Sequence, residues 1–180
     1  MKNEGKRFEE CFAKSVPEGV WHKRLNDNAA SWSGGTNSRF TSSNECDFLL
    51  HDSEYGLLYG LELKSTKGSL TFWREDFEDK SKKQTFNIRK KQIQGLQKWS
   101  ENYEGVFGFV INFRNMNNDT YFISIKDFLE YSSTLPKKSL NKEDILQMNP
   151  IKIESKKLKI NYRYDLIGFL VEMGERRYGE

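Results

Sequence analysis

Residues 45–65 carry the pattern that most restricts the fold: two short apolar segments, about 45–51 and 57–65, flank a polar turn at Glu54 and Tyr55. In a two-strand hairpin centred on that pair, positions whose numbers sum to 109 face each other. Phe48 then meets Leu61, Leu50 meets Tyr59, and Asp47 meets Glu62. The first two pairs are apolar on one face, which supports the register, and a period of two puts Asp47, Glu62 and Lys64 together on the other. Like charges directly opposite each other destabilise a sheet, so two carboxylates there call for a cation between them. A divalent metal is the candidate. The alternative is a solvated sheet face bearing cross-strand ion pairs, in which Glu45 would face Lys64.

The 180 residues suffice for one domain with a substantial core, and no internal repeat is visible. The net charge of +3 is unevenly spread: ten Lys or Arg against four acids fall between Lys64 and Lys98, directly after the Glu-x-Lys element. That suits a polyanion lying across the hairpin, or a solvated lysine-rich helix face. Cys11 and Cys46 have no metal-type spacing and His22 and His51 stand alone, which argues against zinc. Cys46 is expected as a small buried residue. No apolar run has the length of a signal or a membrane span, so a soluble chain in a reducing compartment is expected.

Along the chain, Phe8, Cys11, Phe12 and Ser15 predict a helix over about 3–15, ended by Pro17, and 19–25 reads as a first strand. Residues 26–44, rich in Ser, Asn and Gly, are expected to form a long protruding loop or stalk that carries Trp32, Arg39 and Phe40. After the hairpin, 67–85 reads as an irregular basic and aromatic insertion. Ile88, Gln92, Leu96, Trp99 and Tyr103 then predict one stripe of a helix over about 86–102. The continuous apolar run 106–113 predicts a strand buried on both faces and parallel to the strand before the helix. A strand at 120–125, a short helix at 126–132 and a small appended region over 137–180 follow, with a closing helix at 164–173 stopped by Gly174.

An acid on the second strand and Glu-x-Lys on the third, in this element order, resemble the PD-(D/E)xK nuclease superfamily, and within it a RecU-type Holliday junction resolvase. Gly5-Lys6-Arg7-Phe8-Glu9 resembles the Gly-x-x-Leu-Glu opening of that family, and Ser42-Ser43-Asn44-Glu45-Cys46-Asp47-Phe48 its Thr-Asp-Tyr element. Glu62-Leu63-Lys64-Ser65-Thr66 resembles its Glu-Ala-Lys-Glu-Thr strand. Residues 89–96, with Gln92 and Ile93, are similar to its His-Gln-Ile helix, and 105–113 to the apolar strand that follows. The end is similar mainly at Arg163-Tyr164-Asp165-Leu166. The chain departs from the family in a shorter segment at 26–44 and an insertion at 74–84.

The resemblance implies an α/β fold: a restriction-endonuclease-like mixed β-sheet flanked by helices, with a protruding loop between the first and second strands. It implies a single nuclease domain, phage-encoded or from a low-GC bacterium, acting in the bacterial or host cytoplasm to resolve Holliday junctions in recombination or replication, with a link to DNA repair. Asp47 and Glu62 would hold Mg²⁺, with Mn²⁺ as a substitute and the Leu63 backbone carbonyl as a further ligand; such hard cations take oxygen donors. Lys64 would orient the attacking water or stabilise the phosphorane. Gln92 would position Lys64 or the nucleophile, or else serve as a core-edge amide bonded to backbone. Glu9 would approach the metal through water, or remain a solvated helix carboxylate.

For DNA contacts the expected residues are Lys67, Arg74, Lys82, Lys83, Arg89, Lys90, Lys91, Arg39 and Trp32, with a second basic set at Lys156, Lys157, Lys159 and Arg163. Trp32, Phe40 and Trp73 are candidates for stacking on unpaired bases, or for sealing local packing. The implied partner is a four-way DNA junction cut by a homodimer, with no membrane association. Two other functions stay open: a restriction-like or repair nuclease on linear duplex, and a catalytically inert nucleic-acid-binding protein of the same fold.

Overall fold

The computed structural model describes residues 3–25, 44–78, 81 and 84–179. The first helix, α1 (Glu4–Ala13), starts at Asn3, whose side chain accepts the Gly5 N–H. It presents Phe8, Cys11 and Phe12 inward. Strand β1 (Trp21–Arg24) leads to the hairpin of β2 (Phe48–Asp52) and β3 (Leu57–Thr66). The hairpin has the register expected from its apolar pairs: Phe48 opposite Leu61 and Leu50 opposite Tyr59.

After β3 comes β4 (Leu70–Thr71), then a single 3₁₀ turn at Glu75–Phe77. Helix α2 (Lys90–Asn102) crosses over to β5 (Val106–Phe113), which pairs parallel with β3. Next are β6 (Asp119–Ser124), α3 (Ile125–Thr134), β7 (Ser139–Leu140), α4 (Lys142–Leu146) and β8 (Ile151–Ile153). The chain closes with the hairpin β9 (Ser155–Lys157) and β10 (Tyr162–Tyr164) and helix α5 (Leu166–Tyr178).

The main sheet has the order β1-β2-β3-β5-β6-β8, and every pairing except β3 with β5 is antiparallel. Helices cover both faces. Leu57, Tyr59, Leu61 and Leu63 of β3 join Phe8, Phe12, Phe169 and Leu170 in one core, beneath α1 and α5. Phe107, Phe109 and Ile111 of β5 join Ile93, Leu96, Ile125 and Phe128 in the other, beneath α2 and α3. All eight residues of β5 are buried, as a strand covered on both faces must be. The protein is therefore a mixed α/β domain with a central mixed sheet flanked by helices.

Four segments differ from expectation. Helix α2 begins at Lys90 rather than near 86, because the Ile88 backbone is used elsewhere: its N–H donates to Thr71 O (2.9 Å) and its carbonyl accepts from Trp73 (2.9 Å). Ile93, not Gln92, completes the buried face of that helix. The stretch after β3 is partly core, with Leu70 and Phe72 buried and β4 paired to β7.

Residues 137–180 are not an appendage: Ile151 and Ile153 alternate inward on the sixth strand of the main sheet, and α5 closes one core. That helix runs through Gly174, where an added Cβ would lie 2.5 Å from the Tyr55 ring, and stops at Gly179 in the left-handed conformation (φ 72°). Residues 26–43, with Trp32, Arg39 and Phe40, lie outside the described residues, as do Lys82 and Lys83.

Candidate active site

Glu62 lies mid-way along β3, opposite Phe109 of β5, on the face covered by α2. Only 3% of it is exposed. Asp47 sits at the residue before β2, held from both sides by backbone: its N–H donates to Leu61 O (3.0 Å) and its carbonyl accepts from Leu25 (2.8 Å). Its Oδ2 accepts the Leu63 N–H at 2.7 Å. The hairpin thus brings the two carboxyls into hydrogen-bonding contact, as the register predicts. Lys64 follows on the same face, two residues along the strand, and its Nζ lies 2.8 Å from Glu62 Oε1. Lys64 therefore pairs with Glu62, not with Glu45 as the alternative reading has it.

Burial pushes the Glu62 carboxyl up to about 8; the Lys64 ammonium opposes that rise and the Asp47 carboxylate reinforces it. Two carboxyls in contact, one of them desolvated, must share a proton or a cation. Cys46, beside them, has its thiol pushed up to about 12 by burial, with Glu62, Asp47 and Glu45 adding to the rise. It is an inert core residue, as expected, and its Sγ donates to Phe48 O (3.4 Å).

Gln92 is bonded both to backbone and to the carboxylate pair, through Glu62 rather than Lys64. Its Oε1 accepts the Arg89 N–H (2.9 Å), closing the N-terminus of α2, while its Nε2 donates to Glu62 Oε1. The helix can approach this closely because residue 95 is glycine: a Cβ there would be 2.6 Å from Glu45 Cγ. Gly95 carries no functional side chain, so no catalytic pattern points to it. The visible signal is an isolated glycine inside a helical pattern.

The donor set fits a hard cation. Asp47 and Glu62 supply anionic oxygens, and in extended backbone the Leu63 carbonyl points to the same side as its N–H, toward Asp47. Among the described residues no group of three or more His, Cys, Asp or Glu side chains is placed to hold a metal, so a cation here would keep several waters, as Mg²⁺ does.

Glu9 is carried by α1, whose buried side chains pack on the opposite face of the sheet. Its carboxylate accepts from Arg24, at the end of β1 beside Asp47. Of the residues expected to meet DNA, Lys67, Arg89, Lys90 and Lys91 are exposed, the last three around the end of α2 that reaches Glu62. Lys90 lies 4.5 Å over the Trp73 ring and 3.7 Å from Glu78. Trp73 packs against the core and is not presented for stacking. Arg74 is engaged internally by Asp76 (2.5 and 2.7 Å), the Ser132 carbonyl and the Phe77 ring.

No family model matches the chain. It is similar to the SPbeta prophage-derived uncharacterized protein YotM of Bacillus subtilis (strain 168), 28% identical over 191 residues that span 97% of this chain and 90% of that protein. Among solved structures it is similar to Hjc, a Holliday junction resolvase of the archaeal hyperthermophile Archaeoglobus fulgidus. That alignment covers 77% of this chain and 88% of the other, with a TM-score of 0.42 and 10% identity. Among the described residues no helix is long and apolar enough to cross a membrane.

Proposed function

We propose that this chain is a Mg²⁺-dependent, structure-selective DNA endonuclease of RecU-like type, phage-encoded, that resolves four-way junctions as a homodimer. The observation that carries this reading is the contact between the Asp47 and Glu62 carboxyls with the Lys64 ammonium 2.8 Å from Glu62, all on one sheet face. A coiled or helical segment would scatter these side chains; only paired extended backbone collects them.

Asp47, Glu62 and the Leu63 carbonyl would hold the ion, which when bound lowers the pKa of a water and neutralises charge on the scissile phosphate. The Leu63 N–H orients Asp47 through Oδ2, and Gln92 orients Glu62 through Oε1. Glu62 would serve as a ligand in its ionised form. Lys64 stands beside the carboxylates with its charge aimed at the phosphoryl group, where it stabilises developing negative charge. Arg89, Lys90, Lys91 and Lys67 bind flanking phosphates, which positions the duplex without reading bases. Two-fold symmetry would present two equivalent sites for the paired nicks that resolve a junction.

The test compares labelled four-way junctions with matched linear duplexes, in Mg²⁺, in Mn²⁺ and in EDTA. Symmetric nicks in the junction arms, dependent on the cation, support the proposal. Equal cutting of linear duplex replaces it with a repair or restriction-like nuclease, and binding without cutting leaves an inert member of the fold.

A further inference from the structure

Beyond Lys64, the next residue of β3 opens onto a second surface. Ser65 faces the α1 side of the sheet, where its hydroxyl donates to Asn112 Oδ1 (3.0 Å) and accepts from Arg114 (3.4 Å). These polar groups belong to an open cleft of about 660 Å³ between α1 and the β9–β10 hairpin. Six cations line it, Arg7, Lys14, Arg114, Lys157, Lys159 and Arg163, against only Glu4 and Glu10. Arg7 is 3.8 Å from Glu4. Lys14, Arg114, Lys157 and Lys159 have no carboxylate within ion-pairing distance among the described residues.

The hairpin wall is rigidly mounted. Tyr164 is buried, its N–H donates to Ser15 Oγ (2.9 Å), and its hydroxyl accepts from Asn118 (3.3 Å). Arg163 donates to the Lys14 carbonyl (2.6 Å), and Asp165 N–H to Glu154 O (2.7 Å). At the far end the Leu158 N–H donates to Asn161 O (2.8 Å), closing a tight turn that puts Lys159 and Ile160 at the apex. Ile160, 72% exposed, is the most exposed large apolar side chain among the described residues, and Leu158 beside it is 44% exposed. A fixed hairpin that ends in two bare apolar side chains, clad in Lys156, Lys157 and Lys159, is built to touch something both anionic and apolar.

We propose that this hairpin is a nucleic-acid wedge: the cleft holds the sugar–phosphate backbone of a DNA arm other than the strand being cut, and Leu158 and Ile160 pack against unstacked bases at a branch point. The inference rests on the nuclease reading, since the cleft opens at Ser65, three residues along β3 from Glu62 and on the other face of the sheet. Nucleic acid suits the surface better than a lipid bilayer does: the cleft is concave and polar-floored, and a two-residue apolar tip offers too little area to anchor on a membrane.

The test measures binding of the full chain to a four-way junction and to linear duplex by fluorescence anisotropy in EDTA, over a salt series, with 2-aminopurine at the branch point. Lys157→Ala with Lys159→Ala should weaken binding to both DNAs on the order of tenfold or more near 0.1 M salt and reduce the log–log salt slope by about 2. Leu158→Ala with Ile160→Ala should leave that slope unchanged while removing the preference for the junction and the 2-aminopurine signal.

Wild-type affinity, slope and signal in both variants would overturn the proposal. So would sedimentation with anionic vesicles that these substitutions abolish while DNA binding stays intact. All substituted side chains are exposed, and circular dichroism confirms folding. Cleavage by the unsubstituted chain is read separately, so an inactive carboxylate pair and an idle hairpin give distinct results.

Discussion

Glu62 and Ser65 lie three residues apart on one strand, yet they open onto regions governed by opposite rules. At the carboxylate pair, on the α2 face, the charges are few, buried and locked together: one desolvated carboxyl, a second in contact with it and one ammonium, tied to an amide, with the exposed Arg89, Lys90 and Lys91 outside this group. On the α1 face the charges are many and largely solvated, and Lys14, Arg114, Lys157 and Lys159 have no carboxylate within ion-pairing distance among the described residues. Buried charges are barely screened, so small displacements there change protonation and ion binding outright. Exposed cations act additively through release of counterions and fade with salt. The contrast separates chemistry from grip, and each substitution below should disturb one without the other.

The largest effect is expected at Asp47. Asp47→Asn keeps the shape and the Leu63 hydrogen bond but removes an anionic oxygen from the cation's donor set. Cleavage of junctions should fall by at least 10²–10³-fold while junction affinity in EDTA stays within about twofold of wild type. An unchanged rate would mean the pair is not catalytic. A large loss of affinity would mean that the two faces are not separable.

Next comes the pH response of the chain without metal. Glu62 holds its proton in the folded state up to about 8, whereas its ordinary value is near 4.5. Between those limits the folded chain binds more protons than the unfolded one, so stability falls as pH rises through the window. Thermal melts in EDTA should show Tm declining from pH 5 to pH 8, and Glu62→Gln should flatten that decline. Added Mg²⁺ should act in the reverse sense, stabilising most at the alkaline end, where no proton competes for the carboxylate. A decline that persists in Glu62→Gln would assign the proton to another group.

A smaller effect is expected in the residues that aim Glu62. Gln92→Ala removes the amide donor to Glu62 and the acceptor that closes α2, and should lower cleavage roughly tenfold while costing about 0.5–2 kcal/mol of stability. Gly95→Ala should have a similar kinetic effect by forcing α2 away from Glu45. Alanine is better than glycine in a helix by about 0.8–1.0 kcal/mol, so a gain in stability with unchanged activity would show that the close approach does not matter.

The carboxylate side was legible in the sequence because strand pairing is a local rule: the apolar pairs Phe48–Leu61 and Leu50–Tyr59 fix where Asp47 and Glu62 meet, and a two-residue period adds Lys64. Gln92 stood out as the polar member of an otherwise apolar stripe. What could not be read depends on contacts between distant segments. Ile88 fits a helical stripe, but its backbone is taken by Thr71 and Trp73. Gly174 looks like a helix stop until Tyr55 is seen against it. The lysines at 156–159 were visible as charge, but the cleft they line exists only because Tyr164 and Arg163 dock the hairpin onto α1.

Arg74 offers the finest test, because sequence and structure assign it differently. As one of the cations after Glu62-Leu63-Lys64 it reads as a phosphate contact. In the fold its guanidinium is bidentate to Asp76, donates to the Ser132 carbonyl and lies 4.0 Å over Phe77. A guanidinium so engaged ties the turn after β4 to α3 and would have to abandon these partners to reach DNA. Arg74→Ala should therefore change duplex affinity by about twofold or less and leave the salt slope intact, while lowering stability by about 1–3 kcal/mol, the cost of losing hydrogen bonds to a charged group. A loss of roughly one unit of salt slope with no change in Tm would return Arg74 to the DNA surface, alongside the solvated cations Arg89, Lys90 and Lys91.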